Sequence, residues 1–146
     1  MVVQTSAVDA EQLITDLGLV PHPEGGHYVE TWRSGESAGG RATATAILFL
    51  LRNGERSHWH RVDADELWLF HYGDPLRLHV AADETPIETS TLGIEIAGGH
   101  RPQLLVPAGR WQAAESLGRF TLVSCVVSPG FEFAGFELAP HGWEPA

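Results

Sequence analysis

The stretch that decides the fold runs from Gly54 to Gly73 and reads G-E-R-S-H-W-H-R-V-D-A-D-E-L-W-L-F-H-Y-G. It places His58 and His60 two residues apart, and Glu66 follows on the same stretch. Because alternate side chains of a β-strand project from one face, we expect the two histidines to point the same way. A turn after His60 would bring Glu66 back on a neighbouring strand. Two imidazoles and one carboxylate that converge in this way suit a divalent transition metal.

On both sides of this stretch, short apolar segments alternate with turns rich in Gly and Pro, a pattern that predicts an all-β sandwich or barrel. A single helix is expected at Asp9–Leu17, where Asp9 can cap the start, Gly18 can end the helix and the apolar residues form one stripe. The segment Leu19–Gly26 is expected to be irregular, Asp83–Thr91 is expected to be a loop with a ragged strand, and the tail from Pro140 is expected to be loosely ordered. The expected strands are His27–Ser34, Thr43–Leu51, Glu66–Tyr72, Leu76–Ala81, Gly93–Ala97, Gln103–Val106, Trp111–Glu115, Phe120–Val127 and Phe131–Leu138.

Length, charge and composition limit which kinds of protein this chain can be and which partners it can bind. The chain has 146 residues with no internal repeat or linker, so residues 1–146 are expected to form one domain. A net charge of -10 disfavours nucleic acid and anionic membranes as partners. The longest apolar run, Ala46 to Leu51, is far shorter than the roughly 20 residues that span a bilayer. The N-terminus does not resemble a signal peptide, and the single cysteine excludes an internal disulfide. We therefore expect a cytoplasmic protein that binds a small molecule.

Two motifs in the chain resemble those of the cupins. The stretch Gly54–Gly73 resembles the first cupin motif, in which a glycine precedes H-x-H and a glutamate and a second glycine follow. The distance from Glu66 to Gly73 matches that motif, whereas the gap after His60 is one or two residues longer than usual. The sequence P-A-G-R-W-Q, which ends at Gln112, resembles the second motif, P-x-G-x-x-H. Gln112 stands where the fourth metal ligand, a histidine, would be.

From about Leu13 to Leu138 the chain resembles one cupin subfamily, cupin-5, long labelled a domain of unknown function. The resemblance implies a cupin double-stranded β-helix, that is, a jelly-roll barrel of about eight strands. It also implies a homodimer and a pocket inside the barrel, but the subfamily has no single agreed reaction and a fold does not give a function. The segments that carry it are His22–Gly26, Glu30–Ser34, Ser57–His60, Asp65–Trp68, Gly73–Leu76, Pro107–Glu115 and Ser128–Phe133.

Within that pocket, His58, His60 and Glu66 are the candidate ligands of an Fe, Mn, Ni, Cu or Zn ion. Gln112 could complete the set through its amide oxygen. Three protein ligands that leave an open position are typical of catalytic rather than structural sites. The alternative is that these side chains are polar pocket residues, hydrogen-bonded to one another and to substrate without a metal.

Glu66 and His60 are also the candidate catalytic acid and base. A carboxylate inside an apolar barrel has its pKa raised by desolvation, which brings it toward a useful range. The alternative for Glu66 is an ion pair with Arg77 or Arg33. Aromatic candidates could instead belong to the core, and the polar ones could lie at a dimer edge. The candidate substrate contacts are Tyr28, Glu30, Arg33, Trp68, His79 and Trp111.

The sequence thus favours an enzyme that isomerises, epimerises or eliminates across a small polar or sugar-like metabolite, assisted by a metal that polarises a substrate oxygen. A metal-dependent oxygenase is a narrower variant. A non-catalytic protein that binds a nucleotide-like or sugar-like ligand is the alternative from a different class. The acidic composition leaves a small anionic substrate open, because a pocket could gather Arg33, Arg77 or Arg110 locally.

Overall fold

The computed structural model describes residues 8–83 and 85–145 and has one helix followed by two antiparallel sheets that enclose a core. This arrangement confirms the expected all-β jelly roll with an N-terminal helix. One sheet has the strand order β1-β2-β3-β10-β5-β8, and the other has the order β11-β4-β9-β6-β7. The elements are α1 (Ala10–Leu17), β1 (Val20–Pro21), β2 (His27–Arg33), β3 (Thr45–Arg52), β4 (Arg56–Val62), β5 (Asp65–Gly73), β6 (Leu76–Ala81), β7 (Glu88–Leu92), β8 (Gln103–Val106), β9 (Trp111–Ser116), β10 (Phe120–Ser128) and β11 (Phe136–Leu138).

The core lies between the two sheets and is built from alternate residues of their strands. Because side chains of a strand alternate between its faces, every second residue of β3, β5 and β10 points inward. The other faces of these strands are covered in part by α1. The buried residues between the sheets include Phe49, Trp68, Leu78, Val123 and Cys125.

Helix α1 begins and ends as its sequence predicts. The Asp9 carboxylate accepts a hydrogen bond of 2.7 Å from the Gln12 backbone N–H, which is the expected N-cap. Gly18 ends the helix in the left-handed conformation, with φ of 67°. The apolar stripe of the helix packs on the outer face of the six-stranded sheet, where it contacts Leu50 and Leu122.

A β-bulge in β2 changes which of its side chains face the barrel interior. Glu30 pairs with Ile47, whereas Trp32 pairs with the next residue along β3, Ala46, so Thr31 is the extra residue. Regular alternation would place Glu30 and Trp32 on one face, but the bulge places them on opposite faces. Trp32 lies on the outer face of the sheet and is 52% exposed.

A second bulge lies in β4, within the stretch that decides the fold. Ser57 pairs with Ala114 and His60 pairs with Gln112, so three steps along β4 match two steps along β9. Ser57 and His60 therefore share the inner face. The expectation that His58 and His60 point the same way is wrong for this reason.

The other departures from the expected elements lie near the ends of the sheets. The segment expected as a strand at Gly93–Ala97 contains instead a single turn of 3₁₀ helix at Ile96–Gly98. The last strand is limited to β11, because another 3₁₀ turn precedes it. The tail is not loose, since Trp143 packs against Trp59 and Trp111. In residues 8–83 and 85–145, no helix has the length and apolar character needed to cross a membrane.

Candidate functional site

A cavity of about 440 Å³ opens between the sheets, which is within the size range of ligand pockets. Its walls come from the inner faces of β2, β3, β4, β5 and β10, from the loop before β2 and from the segment that leads into β11. Ionisable side chains lie at its inner wall and at its rim. The lining residues are Val20, His22, Glu24, Tyr28, Val29, Glu30, Arg33, Thr45, Ile47, His60, Val62, Glu66, Cys125, Val127, Phe131, Glu132, Phe133 and Phe136.

The loop His22–Gly26, with the sequence H-P-E-G-G, carries Glu24 into the barrel. His22 donates its backbone N–H to the carbonyl of Gly26, at 2.9 Å, so the loop closes on itself. His58 N–H donates to the Glu24 carbonyl at 2.8 Å, which fixes the loop against β4. Gly25 has φ of 109°, and a Cβ at this position would overlap the carbonyl oxygen of Arg56. Only glycine fits there without strain, so the two glycines allow the approach that buries Glu24.

Glu24 and His60 form a buried ion pair at the inner wall. His60 Nε2 lies 2.9 Å from Glu24 Oε2, and only 2% of the His60 side chain is exposed. His60 Nδ1 donates to the backbone carbonyl of His58 at 2.8 Å, so both ring nitrogens carry protons. Burial acts to lower the pKa of His60, but the charge and hydrogen bond of Glu24, with the charge of Glu66, raise it to about 9. Burial acts to raise the pKa of Glu24, yet the charge and hydrogen bond of His60 give it a net lowered pKa.

Glu66 lies on β5 and is held by a chain of buried hydrogen bonds. Trp68 Nε1 donates to Gln112 Oε1 at 2.9 Å, and Gln112 Nε2 donates to Glu66 Oε1 at 2.8 Å. Because an indole N–H can only donate, Trp68 fixes the orientation of the Gln112 amide. Burial is the main cause of the raised pKa of Glu66, and the charge of Glu24 adds to it, whereas His60 opposes it.

Aromatic rings form the wall between the inner acids and the rim. The His22 ring lies 4.4 Å from that of Tyr28 in an edge-to-face arrangement. Burial lowers the pKa of His22, and its Nδ1 accepts a hydrogen bond from the Glu24 backbone N–H at 3.1 Å, so the imidazole is neutral. Phe133 and Phe136 continue this wall, with ring centroids 6.0 Å apart.

At the rim, Glu30 and Arg33 form a bidentate ion pair. Arg33 Nε donates to Glu30 Oε1 at 2.8 Å, and a terminal nitrogen donates to Oε2 at 2.9 Å. The same guanidinium donates to the carbonyl of Phe131 at 3.2 Å. The bulge in β2 places both side chains on the cavity side, three residues apart. Tyr28, Glu30 and Arg33 therefore line the cavity, as the substrate-contact hypothesis requires.

Three other candidate substrate contacts do not line the cavity. Trp68 is buried in the core, where its N–H binds Gln112. His79 contacts Thr89 at 2.9 Å and Glu115 at 3.2 Å across the five-stranded sheet. Trp111 packs in a separate cluster that includes Trp59 and Trp143. The sequence pattern could not separate these positions from the cavity, because apolar alternation does not show which end of a barrel stays open.

The candidate metal ligands do not converge. His58 lies outside the cavity, where its Nε2 is 3.0 Å from the carbonyl oxygen of Pro140. The Gln112 oxygen accepts from Trp68, so the amide presents N–H rather than oxygen to Glu66. His60 Nε2 is directed at the Glu24 carboxylate, 2.9 Å away, rather than at a position shared with His58 or Gln112. In the part of the chain that the structure describes, no three His, Cys, Asp or Glu side chains are arranged to hold a metal ion.

Sequence analysis did not identify Glu24 and His22 as site residues. The H-P-E-G-G segment contributed only to the family resemblance, because its proline and two glycines suggest a surface loop. The sequence signal for Glu24 is a carboxylate between a proline and two glycines, because a tight turn can direct one side chain toward the interior. The partner that makes its burial favourable, His60, is far away in the sequence.

Comparisons with known proteins agree with this fold. The family model described as Cupin superfamily (DUF985) matches residues 11–139. A hypothetical protein from Leishmania major is 35% identical, with a TM-score of 0.84 over 90% of this chain and 88% of that chain. A protein from Shewanella oneidensis is 42% identical, with a TM-score of 0.87 over 91% of this chain and 85% of that chain.

More distant structures share the fold alone. A variant of the Bacillus subtilis oxalate decarboxylase is 14% identical, with a TM-score of 0.63 over 82% of this chain and 29% of that chain. The description of another structure of that enzyme names Mn(II) centres. No protein with a curated description matches the chain significantly.

Proposed function

The chain belongs to the cupin superfamily, in its cupin-5 family, and from this premise we propose that it is a small-molecule enzyme that moves protons on its substrate. The reaction class is isomerisation, epimerisation or elimination on a small polar or sugar-like metabolite in the barrel cavity. The observation that carries this proposal is the buried cluster of His60, Glu24 and Glu66, in which neighbouring groups have pKa values displaced in opposite directions. Neighbouring groups whose pKa values are displaced in opposite directions are typical of active sites in which one group acts as an acid and another as a base.

The displaced pKa values define the role of each group. His60 is an imidazolium at neutral pH because its pKa is raised to about 9. It can donate a hydrogen bond or a proton to a substrate oxygen that takes the place of the Glu24 carboxylate at Nε2. Glu24 remains a carboxylate and holds the imidazolium in place. Glu66 has a pKa that burial raises, which makes its carboxylate a stronger base than an exposed glutamate.

These roles combine into one proton-transfer step. The Glu66 carboxylate removes a proton from a carbon next to a carbonyl group, and the electron pair of that C–H bond forms an enol double bond. His60 donates a proton to the carbonyl oxygen as the charge develops there. When the enol O–H returns its proton to His60 and the carbonyl re-forms, return of the proton from Glu66 to the same carbon completes an epimerisation. An isomerisation follows when an enediol intermediate loses the proton of its other hydroxyl and the neighbouring carbon is protonated by Glu66. An elimination follows when the re-forming carbonyl expels a leaving group from the next carbon and Glu66 protonates that group. Gln112 holds Glu66 in position through its donated N–H.

The proposal contains no step that depends on a metal. A metal-assisted form or an oxygenase would need ligands from His58, His60, Glu66 and Gln112, and only His60 and Glu66 line the cavity. The Mn(II) centres described for the oxalate decarboxylase nevertheless make the metal content worth measuring. Near-stoichiometric Fe, Mn, Ni, Cu or Zn in the purified protein that disappears in His60→Ala would contradict the metal-free assignment.

The experiment that tests the proposal is deuterium exchange at carbon. The protein is incubated in D₂O with a panel of small carbonyl-bearing and sugar-like metabolites, and proton NMR follows the loss of C–H signals. We expect catalysed exchange for at least one compound, and we expect Glu66→Gln to reduce its rate by a factor of about 100 or more. Exchange at an undiminished rate in this variant would remove Glu66 from the mechanism.

A matched control separates an enzyme from a binding protein. Glu137→Gln changes an exposed carboxylate on β11 that pairs with Arg61 outside the cavity, and should leave the exchange rate within a factor of about three. The glutamine in Glu66→Gln keeps an oxygen that can accept from Gln112, so the variant should still bind the active compound. Compounds that bind without exchange in the unmodified protein would favour the alternative function, a non-catalytic small-molecule binder.

A further inference from the structure

The charges that line the cavity are unbalanced toward the negative. Two cations and four carboxylates line it. The His22 imidazole is a third basic group in the wall. The Nδ1 of His22 accepts a hydrogen bond from the Glu24 backbone N–H, and burial lowers the pKa of the ring, so His22 adds no positive charge. The carboxylates are those of Glu24, Glu30, Glu66 and Glu132, and the cations are Arg33 and His60.

Both cations are already paired with a carboxylate of the protein. His60 is bound to Glu24 at 2.9 Å and donates its second N–H to a backbone carbonyl. Arg33 is bound to both oxygens of Glu30 and to the carbonyl of Phe131. An entering anion would have to displace Glu24 or Glu30 to reach a positive charge. The small anionic substrate that the sequence left open, bound by Arg33, does not fit this arrangement.

The remaining two carboxylates set the potential that a ligand meets. Glu66 receives a hydrogen bond from a neutral amide, Gln112, and Glu132 stands at the rim, where its charge acts on Arg33. Transfer of a carboxylate or phosphate from water into such a site costs desolvation energy and adds electrostatic repulsion between the ligand and these carboxylates. An ammonium group, by contrast, is attracted by Glu132, and its charge favours the ionised form of Glu66, whose pKa burial raises.

The aromatic wall favours the same kind of ligand. Tyr28, Phe133 and Phe136 present rings to the cavity beside the carboxylates. Aromatic faces attract cations and pack against flat apolar groups. We infer that the ligand of this cavity carries a protonated amine next to a flat or apolar group, and that carboxylates and phosphates are excluded. This inference rests on the proposed function for the identity of the site and adds the class of substrate.

Three probes of nearly equal size test this substrate class: benzylamine, benzyl alcohol and benzoate. Their affinities are measured by protein NMR titration at about pH 7.5, where the amine and the acid are both fully charged. We expect benzylamine to bind best and benzoate worst, with at least about a tenfold difference between their dissociation constants. Equal affinities, a preference for benzoate, or no binding of any probe up to about 20 mM would overturn the inference.

Two substitutions connect the preference to the named charges. Glu30→Gln releases Arg33 from its carboxylate, so we expect benzoate to bind several-fold more tightly and benzylamine more weakly than in the unmodified protein. Glu132→Gln should weaken benzylamine by a factor of about two to five, because this rim charge is screened by solvent. The matched control is Glu137→Gln, which removes a carboxylate on β11 that pairs with Arg61 outside the cavity. This control should leave all three affinities unchanged.

The two proposals fail in different ways. The probe titrations measure binding alone, so a charge preference can be observed even when no metabolite undergoes deuterium exchange. That outcome would retain the ligand class and reject the enzyme. Catalysed exchange on a carboxylate-bearing metabolite, with benzoate bound as tightly as benzylamine, would retain the enzyme and reject the ligand class.

Discussion

His60 is the residue on which the site depends, because it is a positive charge inside a barrel. Removing an ion from water costs several kcal/mol, and a buried ion needs both a counter-ion and hydrogen bonds to remain there. Glu24 is the counter-ion, with its Oε2 2.9 Å from His60 Nε2, and the His58 carbonyl accepts a hydrogen bond from His60 Nδ1. His60 therefore requires the loop His22–Gly26 to be docked, and the loop in turn has Glu24 buried only because His60 is there.

The raised pKa of His60 makes stability depend on pH. A histidine whose pKa rises from 6.5 to about 9 on folding contributes stability that is fully present below pH 6.5 and is lost as the pH approaches 9. Such a shift corresponds to at most about 3 kcal/mol of unfolding free energy. We expect urea unfolding to show this loss between pH 6.5 and 9, and Glu24→Gln to reduce it by removing the main cause of the raised pKa.

A variant outside the site serves as the control for this pH series. Glu137→Gln changes an exposed carboxylate on β11 and should retain the full loss of stability with rising pH. The lowered pKa of Glu24 acts in a different window, because its contribution is lost only when the pH falls through the acidic range. A flat profile between pH 6.5 and 9, or the same slope in Glu24→Gln, would contradict the assignment of a charged His60.

At the scale of elements, two bulges and one loop build the site. The bulge in β4 turns His60 inward and His58 outward, and the bulge in β2 brings Arg33 beside Glu30. Bulges are concentrated near functional sites because they redirect a side chain without ending the strand. The loop His22–Gly26 then supplies Glu24, the carboxylate that pairs with His60.

Gly25 is the position where this loop is most sensitive to substitution. Its φ is 109°, and an added Cβ would overlap the backbone carbonyl of Arg56. We expect Gly25→Ala to lower the free energy of unfolding by about 2–4 kcal/mol, through backbone strain and steric overlap. Chemical denaturation measures the change. Gly35→Ala is the control, because a Cβ there meets nothing within 4 Å, and it should change stability by less than about 0.5 kcal/mol. Equal effects of the two substitutions would contradict the role of the loop.

The elements themselves were largely predictable, whereas the directions of their side chains were not. Local signals located helix α1 and placed β6 at Leu76–Ala81 and β8 at Gln103–Val106, because caps, turns and alternation are properties of adjacent residues. A bulge depends on the pairing with a distant strand, so alternation in β4 placed His58 on the wrong face. Glu24 was missed for the same reason, since its burial depends on His60.

At the scale of the whole molecule, an apolar row crosses the outer face of the six-stranded sheet. The residues of this row are direct cross-strand neighbours, and in the described residues no other element covers them. The two end residues are strongly exposed, at 52% for Trp32 and 57% for Leu105. A net charge of -10 makes two copies of the chain repel each other, so an uncharged face is where they could meet. The row consists of Trp32, Ala46, Val126, Leu67 and Leu105.

We expect this row to be the contact between two copies, as the family resemblance implies a homodimer. Light scattering coupled to size-exclusion chromatography should give the mass of a dimer, and Leu105→Arg should shift it to that of a monomer. Ile94→Arg is the matched control, because Ile94 is exposed outside the row and its substitution should leave the dimer intact. A monomeric unmodified protein, or a dimer that survives Leu105→Arg unchanged, would contradict the assignment.

The central claim is that His60 is a charged acid in the cavity, and the most direct test is nitrogen NMR of the histidine side chains as a function of pH. We predict that both ring nitrogens of His60 are protonated at pH 7, that its pKa is about 9, and that Glu24→Gln lowers this pKa. A neutral His60 ring at pH 7, with a pKa at or below the ordinary value of about 6.5, would contradict the account and remove the acid from the proposed reaction.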